Sequence, residues 1–319
     1  MKSKNRASFI IAGIAVMILM TAADLMIQGP ADREVIRYLR IPRTVTAIFA
    51  GASLSLAGVQ MQSILRNSLA DPHIMGVSSG AALGAAIAVM CSGSNSVFSE
   101  GSLLSGLPIA AAAFIGAALS IALVIYVSRR LKSPTTLLIF GVMTGFIISA
   151  IVSILQFSSD AESLKIFYSW SAGSFSTTTW GQTAIMGIAL VIGFLIAYKG
   201  RKGLDIILFG EEFAEMAGAS PERIRLRSLL SSCLLTGAVT AFCGPLGFVG
   251  IAAPHIARAM TGSSSHSIVL PSALLTGCMI SLSADIISQL SPVPLPVVST
   301  MALVGIPIIL YIMLKRPSL

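Results

Sequence analysis

Residues Pro134 to Phe157 read PTTLLIFGVMTGFIISAIVSILQF, and no charged side chain interrupts them. A helix needs about 20 apolar residues to cross the roughly 30 Å hydrocarbon layer of a bilayer, and this stretch supplies them. A membrane-spanning strand would be short and would alternate apolar with polar residues. The run does neither and reads as a transmembrane helix. Working outward from it, comparable apolar runs occupy residues 8–27, 44–63, 75–92, 108–128, 179–198, 227–243, 246–261, 267–288 and 296–314. The 246–261 run is the short one. The fold class is therefore an all-α polytopic membrane protein with about ten transmembrane helices.

Composition points the same way. Hydrophobic residues make up 55% of the chain, charged residues only 11%, and the mean hydropathy is +0.89. A soluble fold of 319 residues with so few charges would expose more apolar surface than water tolerates. Lys2, Lys4 and Arg6 precede the first run, Ala7 to Met26, in the manner of a secretory signal. That run is too long for a signal core and lacks a small-residue cleavage site, so a retained helix is expected.

Short loops rich in Lys and Arg stay in the cytoplasm. An inside N-terminus puts 16 of the 21 basic residues on the cytoplasmic side and predicts that both termini are cytoplasmic. The five left outside are Arg33, Arg37, Arg40, Arg43 and Lys165. Two explanations fit the crowd before the second span: side chains snorkelling to headgroups, or a basic docking patch that pairs with carboxylates on a soluble partner. Arg40 and Arg43 favour docking. The net charge of +8 follows the cytoplasmic loops and forms no groove of interleaved basic and aromatic residues, which excludes nucleic acid as a partner.

Cys91, Cys233, Cys243 and Cys278 lie in or beside apolar runs without metal-like spacing and read as small core residues. His73 and His255 each follow a proline, in Asp71-Pro72-His73-Ile74 and Ala253-Pro254-His255-Ile256; no carboxylate cluster accompanies either, and His266 reads as a loop residue. The matching tetrapeptides belong to a longer parallel between Arg40–Gly84 and Arg225–Leu274: basic residues, an apolar helix, Gly58 or Gly244, the Pro-His-Ile element, then another helix. With the orientation above, the two copies run in opposite senses, as in the inverted repeats of transporters. Small residues inside the spans, such as Gly51-Ala52-Ser53 and Gly76 to Gly80, let helices approach closely in lipid. Only Asp24 and Asp285 are carboxylates within apolar runs, both toward the outer end, whereas ion-coupled carriers place theirs near the midplane.

A polar stretch from Lys199 to Arg227 breaks the apolar series. Within it Phe213, Met216 and Ala217 share a helical face, with Glu211, Glu212 and Glu215 around the other; Gly218 ends that helix and Ser220-Pro221 caps a second. The acidic face disfavours a lipid surface and favours a protein groove.

These residues, Gly210 to Ala214 through Ala217-Gly218-Ala219, Gly244-Pro245-Leu246-Gly247-Phe248-Val249-Gly250 and Pro254 to Arg258, resemble the FecCD-type permeases of iron-siderophore, haem and vitamin B12 ABC importers. So do Arg40-Ile41-Pro42-Arg43-Thr44, Gly58 to Gln62, Asn67 to Pro72, Ala284-Asp285 and Gly305-Ile306-Pro307. The resemblance spans about Arg40 to Arg316. It implies one permease domain over 1–319 of the type II importer fold, with a cytoplasmic coupling-helix element at about 205–227. It further implies a bacterial cytoplasmic (inner) membrane location, a second permease subunit (a homodimer is expected), two ABC ATPase subunits and an extracytoplasmic substrate-binding protein. By the same resemblance Arg40 and Arg43 meet the binding protein, while Glu211, Glu212, Ala217 and Gly218 belong to the ATPase coupling element. No catalytic, metal or cofactor site is expected. Two departures stand out: Gln289 where some relatives carry a basic residue, and Ser291-Pro292-Val293-Pro294-Leu295-Pro296 where an acidic residue often precedes the late Leu-Pro.

The chain has no G-x-x-x-x-G-K-[ST] motif, so ATP hydrolysis is expected on another chain. The alternative reading is a proton- or sodium-coupled secondary transporter using Asp24 or Asp285, and a third is an intramembrane hydrolase built on His255. Cargo among ferric siderophore, haem and cobalamin stays open.

Overall fold

A computed structural model describes residues 3–27, 29, 32–90, 107–128, 130, 133–291 and 293–315. Lys2, Cys91, Pro292 and Arg316, named above, lie outside the described residues, as do Arg129 and Lys132, two of the basic residues counted as cytoplasmic. The helices are α1 (Ser3–Met26), α2 (Arg33–Leu65), α3 (Val77–Met90), α4 (Leu107–Ser128), α5 (Pro134–Phe157), α6 (Ala161–Ser171) and α7 (Trp180–Lys199). They continue with α8 (Arg201–Ile207), α9 (Glu211–Met216), α10 (Pro221–Cys243), α11 (Val249–Thr261), α12 (His266–Gln289) and α13 (Val297–Lys315). No strand occurs among the described residues.

Every expected apolar run falls on a helix, and six of these helices, α2, α4, α5, α7, α10 and α12, are long and apolar enough to cross a bilayer. Of the others, α3 has 14 residues and α11, with Pro254 inside it, has 13. Three departures from the sequence reading shape the architecture. First, α2 begins at Arg33, because a π-helical turn over Ile36–Arg40 carries the helix through its basic segment; the arginines stand on the helix rather than ahead of it. Second, a 3-10 turn, Pro72–Met75, precedes α3, which starts later than expected. Third, α6 is an additional helix, started by Asp160, whose carboxylate accepts from the Ser163 amide at 3.0 Å. The two Pro-His-Ile elements also differ locally, one forming that 3-10 turn and the other lying inside α11.

The helix starts follow from local chemistry. Thr179 and Gln182 form a reciprocal capping box at α7. Ser220 caps α10, with Pro221 at its first position where a missing N–H costs nothing.

Around α2 the rest of the bundle is organised. Its most apolar window is 83% buried, against 22% for α5 at the periphery. Glycines make the close crossings possible: a Cβ at Gly51 would lie 2.2 Å from the Gly277 carbonyl oxygen of α12, and one at Gly58 would lie 1.9 Å from that of Gly250 in α11. Van der Waals contact at such short range replaces the hydrophobic drive that lipid cannot supply. Hydroxyl bonds reinforce it, as where Ser281 donates to the Ala47 carbonyl at 2.7 Å.

Candidate functional site

The polar groups gather at the two ends of α2. Arg43, ten residues into α2, and Ser63, in its last turn, are separated by about 30 Å of helix at 1.5 Å per residue.

At the C-terminal end of α2 lies the connection between α7 and α10. Here α9 starts at Gly210, whose φ of +115° suits glycine, and it is closed by a Schellman motif. The Ala219 amide donates to the Ala214 carbonyl and the Gly218 amide to that of Glu215, both at 2.9 Å, with Gly218 at φ +76°. The stop at Gly218 and the start at Ser220-Pro221 agree with the sequence reading, but the second helix is the long membrane helix α10 rather than a separate short one.

The expected coupling residues divide on this scaffold. Glu211 accepts an ion-paired hydrogen bond from Nη2 of Arg225, which also donates from Nη1 to the Ser128 carbonyl at 3.2 Å. Arg225 is buried and therefore fastens α9 to α10 and to the end of α4. Glu212, Ala217 and Gly218 are exposed. Beside them stand Phe209, 74% exposed, Phe213, 46%, and Met216, 81%; the two phenyl rings lie 5.4 Å apart. The result is an apolar knob flanked by Glu212 and Glu215, held from behind by Arg225.

At the other end of α2 the two expected docking residues face different ways. Arg40 is half-buried and donates from Nη1 to the carbonyls of Leu25 at 2.9 Å and Gly29 at 2.8 Å, pinning the link between α1 and α2. Arg33 and Arg37 are exposed, and the Trp180 indole ties this edge to α7 by donating to the Arg37 carbonyl at 2.9 Å. Arg43 is turned into the bundle. Its Nε donates to both carboxylate oxygens of Asp285 at 3.0 Å and its Nη2 to Oδ1 at 2.6 Å.

Asp24 completes this cluster. It accepts from Thr44 Oγ1 at 2.5 Å and from Gln289 Nε2 at 2.7 Å, and the same Gln289 nitrogen lies 3.2 Å from Asp285. Asp24 and Asp285 are 3% and 0% exposed, so both carboxylates act as ties among α1, α2 and α12. Gln289 can donate to both carboxylates from its amide, and it is half-buried inside the cluster.

Two readings need correction. His266 is the first residue of α12 and is 1% exposed, not a loop residue. His255 Nδ1 lies 2.9 Å from the Ile251 carbonyl of its own helix, and among the described residues no Ser or Asp is hydrogen-bonded to its ring. Sequence reasoning also missed Asp205, which caps α12 from α8 by accepting the His266 amide at 2.7 Å. No local signal marks that contact, because 61 residues separate the partners.

Comparison with known proteins accords with this architecture. The family model described as the FecCD transport family matches residues 9–315. The vitamin B12 import system permease protein of Vibrio cholerae is 33% identical over 290 residues, covering 89% of this chain and 84% of its own. The hemin transport system permease protein of Yersinia pestis is 31% identical over 282 residues, covering 87% of this chain and 82% of its own. Among solved structures, a chain described as that of a metal-chelate type ABC transporter in an inward-facing conformation superposes with a TM-score of 0.87 at 26% identity, covering 97% of this chain and 99% of that one. The fold is that of a type II importer permease, and the chain belongs to the FecCD transport family.

Proposed function

We propose that this chain is the membrane permease subunit of an ABC importer that carries a metal chelate, ferric siderophore, haem or cobalamin, into the cytoplasm. It works as a homodimer in the bacterial cytoplasmic membrane, with both termini inside and the whole of 1–319 as one domain. Two separate ATPase subunits drive it, and an extracytoplasmic binding protein delivers the cargo.

The observation that carries this reading is the knob on α9. Exposed Phe209, Phe213 and Met216 on a protein otherwise designed for lipid form an apolar patch, and Glu212 and Glu215 beside it disfavour an anionic membrane surface. Such a patch suits a groove on a soluble protein. ATP-driven closure of the ATPase pair would move α9 with its neighbours Ala217 and Gly218, and Arg225 would pass that movement to α10 through Glu211. On the opposite face, Arg33, Arg37 and Arg40 form the edge that meets carboxylates of the binding protein. Arg43 serves that edge from within, by anchoring α2 to α12.

The test is co-purification of the ATPase subunit with the wild type and with a Phe213→Asp, Met216→Asp double variant, both extracted in mild detergent. Loss of the ATPase from a variant that stays monodisperse supports the reading. Undiminished recovery would mean that the knob is not the ATPase-binding surface.

A further inference from the structure

The proposed importer must convey movement from α8 and α9 to the helices around the pathway, and Arg225 of α10 joins α9 to the end of α4. A second line of contacts reaches α2, whose apolar window is the most buried of the six spans. Asp205 of α8 receives three groups at the start of α12: the His266 amide at 2.7 Å, His266 Nδ1 at 2.7 Å and Ser265 Oγ at 3.5 Å. The other ring nitrogen, His266 Nε2, lies 2.6 Å from Ser63 Oγ in the last full turn of α2. Three elements distant in sequence, α8, α12 and α2, meet through one imidazole.

Access decides what this trio can do. Ser63 is 0% exposed and His266 is 1% exposed, so no substrate reaches the hydroxyl and a hydrolytic role is excluded. Only the Asp205 end is partly open, its side chain being 33% exposed beside the polar connection.

The hydrogen positions follow from the donors and acceptors available. A carboxylate only accepts, so His266 Nδ1 carries a hydrogen toward Asp205. In the neutral ring Nε2 is then an acceptor, and the Ser63 hydroxyl supplies its proton. That hydroxyl has a second acceptor close by, the Val59 carbonyl of its own helix at 2.7 Å. Ser63 can therefore bond across to His266 or back along α2 and stay satisfied either way. Releasing the contact leaves the hydroxyl paired with the Val59 carbonyl, and only His266 Nε2 loses its partner.

We propose that Asp205, His266 and Ser63 are positioning residues that link the ATPase-facing element to α2, with Ser63 as the releasable end. Displacement of α9 draws on α8, which holds His266 through Asp205; His266 then releases or regains Ser63, and α2 is freed or held at that end. A neighbouring contact aligns with this line: Arg66, the left-handed cap of α2 at φ 47°, has its guanidinium close to Gly210 at the start of α9, where a Cβ would lie 3.6 Å away.

This inference rests on the importer reading, and one experiment separates the two. The chain is reconstituted with its ATPase and binding protein in liposomes, and the ratio of cargo taken up to ATP hydrolysed is measured. The cargo is whichever of a ferric siderophore, haem and cobalamin the wild type carries. Ser63→Ala removes the bond to His266 and leaves the Val59 carbonyl in its helix. We expect it to assemble fully and to lower the ratio about fivefold or more, in the range of ordinary coupling between sites. Ser63→Thr keeps the hydroxyl and restores the ratio, and His266→Ala lowers it as Ser63→Ala does. If Ser63→Ala assembles and retains the wild-type ratio, or fails through lost assembly alone, the assignment is overturned. Absence of ATP-driven uptake in the wild type would instead overturn the importer reading, and the relay with it.

Discussion

Arg43 and Asp285 form a buried ion pair 2.6 Å long between residues 242 positions apart, joining the early turns of α2 to the last turns of α12. Two carboxylates share this neighbourhood with one guanidinium, and Thr44 and Gln289 occupy the second, Asp24, with hydrogen bonds. Removing one member of a buried pair strands its partner's charge, at a cost of about 3–5 kcal/mol. Asp285→Ala is therefore expected to lower the thermal midpoint of the detergent-solubilised protein sharply. Arg43→Met combined with Asp285→Leu should recover most of the loss, which a melting series of the single and double variants would check.

Close helix crossing at Gly58 yields a second prediction. A methyl group there meets backbone, the Gly250 carbonyl oxygen at 1.9 Å, so neither helix can yield by turning a side chain. Gly58→Ala should destabilise the bundle by about 1–3 kcal/mol, the usual cost of overpacking. Gly13→Ala is the control, since its methyl would stand 3.8 Å from Leu275 Cδ1, an ordinary contact. Equal melting of both variants would contradict the packing described for α2 and α11.

Glu211 holds α9 through Arg225, and Glu211→Gln removes the charge while keeping the shape. A hydrogen bond to a charged group contributes about 1.5–3 kcal/mol. Amides of Ala214 and Ala217, which donate to Gly210 and Phe213, should consequently exchange with deuterium about tenfold faster or more. Unchanged protection would show that α9 is held by something other than this pair.

The cap of α6 titrates. The Ser163 amide, donating at 3.0 Å, holds the Asp160 carboxyl below the ordinary carboxylate range. A carboxyl whose folded value is depressed contributes stability that is present above its unfolded value, about pH 4, and is lost as pH falls through the lowered folded value. Protection of the Ser163 amide should fall in that acidic window for the wild type. In Asp160→Asn, whose amide oxygen can still cap, it should show no titration there.

The legibility of the fold follows from what lipid demands. Apolar length alone marks a candidate span, so each expected run fell on a helix, six of them long and apolar enough to cross a bilayer, and α10 was legible at its start because Ser220-Pro221 is a local signal. The beginning of α2 was not, because four arginines read as a loop where a π-helical turn continues the helix. Nor was α6, whose 11 residues mix Glu162 and Lys165 with aromatic side chains. At the candidate site, the turn chemistry around Gly218 could be read directly. The inward turn of Arg43 could not, nor could the meeting of Asp205, His266 and Ser63, since contacts between residues 61 and 203 positions apart leave no periodic trace.

The central claim is that separate ATPase subunits drive inward transport through this chain. The most direct measurement is uptake into proteoliposomes holding the chain with its co-purified ATPase, supplied with a binding protein and with ferric siderophore, haem or cobalamin in turn. Accumulation of one of these that requires ATP hydrolysis and disappears on charge reversal of Glu211 and Glu212 is the predicted result. Uptake driven by an ion gradient alone, without any ATPase and abolished by Asp285→Asn, would contradict it.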